Sequence, residues 1–207
     1  MAEQELTRSV SQDEIRIAVE KFEKKKPALL EDVTNKFNAC VMKLLNNLNK
    51  IFPGDQTLLT LISATRKKIN DVVVDHRQDP GLFLYDALQN CQSETQQCIF
   101  DRLLLKDEVA LTKTCSKLSL FNALGIADKW PRLSPNNKEI TWSLIQNMIK
   151  CSTLLVQIKY GDPYQIVSKT LEFQKAPGTQ SLQKLQDVVS MVNIKRDEDA
   201  KLRSLNL

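Results

Sequence analysis

The chain has 207 residues, 42% hydrophobic and 26% charged, a balance that gives a folded domain with its own core and excludes a disordered chain. Twenty-nine Lys and Arg are interspersed with 25 Asp and Glu for a net charge of +4, which is mildly basic and well short of a dedicated polyanion binder. The longest apolar runs, such as Leu58 to Ile62 and Leu154 to Val156, fall far below the ~20 residues of a bilayer crossing, so no transmembrane anchor is expected.

Met1 to Val10 is polar, carries Glu3 and Glu5, and lacks the basic start and apolar stretch of a secretory leader, so cytosolic synthesis is expected. Five irregularly spaced cysteines fit free thiols in a reducing compartment. Ser11 then opens a capping box with Glu14, and Ile15, Ala18, Val19 and Phe22 share one face, which predicts a helix over about 12–25. Pro27 is expected to end it and to sit in the first turn of the next helix. Leu30, Val33, Phe37, Cys40/Val41, Leu44, Leu48 and Ile51 give that second, long helix a narrow apolar seam.

Phe52-Pro53-Gly54-Asp55 breaks the seam, with Asp55 placed to cap a helix whose inner face is Leu58, Leu61, Ile62, Thr65, Ile69, Val72 and Val73. Asp79-Pro80, Ser134-Pro135 and Asp162-Pro163 each set a capping oxygen before a proline, predicting helices over about 80–90, 135–159 and 163–174. Gln92 to Lys117 reads as one or two helices with Ile99, Leu103, Leu104, Val109 and Leu111 inward, and Leu118 to Arg132 as less regular. Leu182, Leu185, Val188, Val189 and Val192 predict a last helix before a mixed-charge tail. The expectation is an all-α fold of about seven to eight helices. A single domain over 11–175 would lie between an N-terminal arm, 1–10, and a 176–207 linker, helix and tail.

Chemistry-bearing patterns are few. His76, among Asp75, Arg77 and Gln78, could have its pKa raised by a carboxylate, but a solvated loop histidine accounts for it as well. No phosphate-binding loop, Gly-x-Gly-x-x-Gly or Gly-x-Ser-x-Gly element occurs. Cys91 and Cys98 on one helix would stand about 10.5 Å apart along its axis, too far for a shared ion or disulfide, so buried free thiols are expected. Asp107-Glu108 and Asp197-Glu198-Asp199 read as solvated faces. No catalytic residue, cofactor or metal is assigned.

Two binding readings remain. Lys24-Lys25-Lys26 and Arg66-Lys67-Lys68 could contact nucleic-acid phosphates, although both are expected on exposed faces or near helix C-termini, where positive charge offsets the dipole. Trp130, flanked by Lys129 and Arg132, could anchor a protein partner, because Trp and Arg are enriched at interface hot spots. Trp142, near Ile145 and Ile149, has core spacing.

The stretch Ile126-Ala-Asp-Lys-Trp130-Pro-Arg-Leu133-Ser-Pro-Asn-Asn137-Lys138-Glu-Ile140-Thr-Trp142 resembles helical proteins of nucleocytoplasmic large DNA viruses, the group containing iridoviruses and phycodnaviruses. Phe37 to Phe52-Pro53 and Lys106-Asp107-Glu108 resemble the same layout, with Val109-Ala110 where an aromatic pair usually follows. The resemblance implies a viral protein made in host cytoplasm. It would be a minor capsid or virion component contacting other virion proteins or further copies of itself. Met1 to Val10 and Lys195 to Leu207 would then be arms that order on neighbours. The alternative is a nucleic-acid-associated factor of the same virus.

Overall fold

Ser11 and Glu14 close the predicted capping box. The Glu14 N–H donates to Ser11 Oγ at 3.2 Å, and the Ser11 N–H donates to a Glu14 carboxylate oxygen at 2.9 Å. The computed structural model describes residues 11–70, 80–89, 99–114 and 119–175. From the box, helix α1 runs Gln12–Ile51 without interruption, 40 residues or about 60 Å. The expected break at Pro27 is therefore corrected. Proline removes one backbone donor and crowds the preceding turn. The apolar positions nevertheless stay in phase across it, from Ile15, Val19 and Phe22 to Leu30, Val33, Phe37, Leu44 and Leu48. A stripe that keeps one helical phase favours a continuous helix over the loss of one backbone hydrogen bond.

The next turn follows expectation. Phe52 N–H donates to the Leu48 carbonyl at 2.8 Å, Gly54 takes φ +87°, and Asp55 Oδ1 accepts the Leu58 N–H at 3.1 Å to start α2, Gln56–Asn70. The positive φ at Gly54 is one a side chain would strain, which is why glycine stands there. Helix α3 is Pro80–Gln89, beginning where the Asp-Pro pair predicts; Asp79 itself lies outside the described residues. After α4, Ile99–Leu104, come a π-helical turn, Ala110–Thr114, then α5, Ser119–Ala123, and α6, Ile126–Lys129. A 3₁₀ turn, Trp130–Arg132, leads into α7, Pro135–Tyr160, and then α8, Pro163–Lys175. Ser134 Oγ accepts the Asn137 N–H at 3.3 Å and Asp162 Oδ1 accepts the Tyr164 N–H at 3.0 Å, so both of these caps before a proline form as predicted. The described residues are all-α, with no strand among them.

The helices gather into two compact units, residues 33–153 and residues 1–32 with 154–207, and α1 and α7 contribute to both. In the first, Phe37, Leu44 and Leu48 of α1, Leu58 of α2, Leu88 of α3, Leu103 of α4, and Trp142 and Ile145 of α7 are all buried. In the second, Ile15 and Val19 pack with Val167, flanked by Ala18, Phe22 and Leu171. Gly161 makes the α7–α8 corner tight. A methyl group there would stand 2.4 Å from the Gln157 carbonyl oxygen and 2.7 Å from Ile166 Cδ1.

The N-terminal arm 1–10, the 176–207 linker, helix and tail, His76, Cys91, Cys98, Cys115 and the Asp197 to Asp199 cluster lie outside the described residues.

Because α1 is continuous through Pro27, a Pro27→Ala substitution restores a donor and relieves the ring's crowding. Chemical denaturation is expected to show a gain of about 1–3 kcal/mol. A loss would mean that the proline is needed to set the path of the helix.

Candidate interaction site

Trp130 is not an exposed anchor. Its side chain is 2% exposed, and its ring meets Trp142 edge-on, centroids 5.2 Å apart at 72°, so both tryptophans belong to the core. Irregular backbone had suggested surface, but a one-turn helix followed by a 3₁₀ turn buries a large ring as well as a long helix does.

The residues flanking Trp130 turn toward the α1–α2 corner. Lys129 Nζ lies 2.8 Å from Asp55 Oδ2, with the two side chains 12% and 22% exposed. Lys129 Nζ and the Arg132 guanidinium lie 5.9 Å and 4.9 Å from the centroid of the Phe52 ring. All three residues expected to meet a partner thus contact their own chain. Arg132 alone keeps an exposed side chain.

On another side of Trp130 stands the segment between α4 and the π turn. Lys138 Nζ sits 5.3 Å from the Trp130 ring centroid and 3.2 Å from both oxygens of Glu108. The Trp130 indole N–H is aimed at the same carboxylate, although no acceptor reaches it at full hydrogen-bonding geometry. That donor first, and then Lys138, hold the Glu108 carboxyl below its usual range against the opposing effect of burial.

The same segment carries further ties. Lys106 pairs with Glu139, Arg102 Nε donates to Asp107 Oδ2 at 2.8 Å, and Gln146 Nε2 donates to the Leu104 carbonyl at 2.8 Å. Asp107 Oδ1 accepts the Val109 and Ala110 N–H groups at 2.9 and 3.0 Å. The Ala110 N–H and then the Arg102 guanidinium depress the Asp107 carboxyl. Lys106 takes φ +59°, a conformation that costs a non-glycine residue of order 1 kcal/mol and is held here by the surrounding ties.

Beside the exposed Lys106 and Glu108, this bracing presents two apolar side chains to solvent: Leu105 is 76% exposed and Val109 52%. Leu105 carries no signal of its own in the sequence, and Val109, expected to face inward, is corrected to the surface because the Asp107 cap turns the backbone there. The only signal was the reciprocal charge order, Lys106 and Glu108 in one segment and Lys138 and Glu139 in the other, thirty residues apart.

The other predicted residues are placed more simply. Lys24 and Lys25 are exposed in the middle of α1, not at a helix end, so they do not offset a dipole; Lys26 is half-buried, 3.8 Å from Glu23. Arg66 and Lys67 are exposed on α2, and the side chain of Lys68 lies outside the described residues. Cys40 and Cys151 are half-buried and form no disulfide, and burial raises the Cys40 thiol against the lowering effect of Lys43. Asp107, expected to be solvated, is instead half-buried against Arg102 and the backbone, whereas Glu108 keeps its expected exposure while pairing with Lys138. Among the described residues no group of three His, Cys, Asp or Glu side chains is placed to hold a metal ion, and no helix is long and apolar enough to cross a membrane.

No protein-family model, curated protein or solved structure matches the chain.

Two expectations follow. A Trp130→Ala substitution leaves a large cavity beside Trp142 and is expected to cost about 3–5 kcal/mol by chemical denaturation, whereas an exposed anchor would change stability by less than about 0.5 kcal/mol. The second concerns acid. Asp55 is held low by Lys129 and then the Leu58 N–H, as Asp107 and Glu108 are by the partners above. Carboxyls depressed in the folded state stabilise it fully above their unfolded values, about 3.9 for Asp and 4.3 for Glu, and that stability is lost as pH falls through the folded values. The melting temperature should therefore hold steady from neutrality to about pH 5 and drop below about pH 4. A melting temperature that rises on acidification would contradict the ion-pair assignments.

Proposed function

We propose that this chain is a non-enzymatic interaction protein, a minor capsid or other virion component that bridges larger subunits and is assembled in host cytoplasm. The observation that carries this reading is the Leu104–Val109 segment, where two long-range ion pairs, a part-buried hydrogen bond from the Gln146 side-chain amide and an aspartate cap hold the backbone while Leu105 and Val109 face solvent. Apolar groups on a backbone already ordered lose little further entropy on binding, which is what an effective contact residue requires. The likeness of Ile126 to Trp142 to helical proteins of large DNA viruses supports the virion setting. That stretch supplies Trp130 and Lys138, which stand beneath and beside the braced segment.

The exposed Lys24, Lys25, Arg66 and Lys67 side chains support a second reading, a nucleic-acid-associated factor. The two readings separate on salt, since phosphate contacts weaken by orders of magnitude between low and physiological ionic strength.

The test is incorporation into particles. The double variant Leu105→Asp and Val109→Asp should fold with a stability change within about 0.5 kcal/mol, because both positions are solvent-facing. It should be depleted at least about tenfold from purified virions by quantitative mass spectrometry, which corresponds to about 1.4 kcal/mol of lost contact energy. Normal incorporation would remove the segment from the interface. A wild-type chain absent from particles but binding DNA with a steep salt dependence would favour the second reading.

A further inference from the structure

We draw no further inference here: the strongest candidate, the exposed apolar pair Leu105 and Val109 on the braced segment between α4 and the π turn, belongs to the site already described, and nothing in the structure shows what covers it.

Discussion

The indole of Trp130 is the point from which residues 33–153 are organised. It fills the space against Trp142 on α7, carries the Lys138 ammonium on its face and points its N–H toward Glu108. Its chain neighbours Lys129 and Arg132 hold the Phe52 ring and the Asp55 cap at the α1–α2 corner. One buried aromatic therefore ties together segments separated by more than fifty residues in sequence, and each attached ion pair is stronger for being partly shielded from water. Remove the ring and Lys138 loses the surface that orients it.

The chemistry of these contacts bears on function. Lys129, Trp130 and Arg132 have the composition of an interface hot spot, and the physics that makes Trp and Arg useful at interfaces serves equally well inside a single chain. A wide apolar ring gains from burial, and a guanidinium gains from stacking, whether the other side is the same chain or a partner. The outward-facing groups lie on a separate stretch of the chain, which Arg102, Lys138, Glu139 and Gln146 hold. Leu105 and Val109 are ordinary aliphatic side chains, and their significance comes from the number of ties on their backbone.

Much of the helical architecture was legible from capping chemistry. Ser11 with Glu14, Asp55, Ser134 with Pro135 and Asp162 with Pro163 each mark a helix start through a local hydrogen bond between residues two or three apart. Information of that range is carried by the sequence directly. Pro27 misled because a local helix-breaking preference yielded to an apolar stripe in phase over the whole 40 residues of α1. Trp130 and the braced segment were not legible for the opposite reason: the Lys138–Glu108 and Lys106–Glu139 pairs span about thirty positions, and charge order alone does not say which distant residues meet. The exposure of Leu105 follows from those meetings and could not be read before them.

The central claim is that the Leu105 to Val109 backbone is ordered before any partner arrives. Amide hydrogen exchange of the isolated protein tests this most directly, since the N–H groups of Leu105, Lys106, Asp107 and Val109 donate to Asp101, Leu103, Arg102 and Asp107 respectively. The account predicts that these amides exchange slowly in the wild type and markedly faster in a Lys138→Ala variant. Exchange in the wild type at the rate of an unstructured peptide would contradict it.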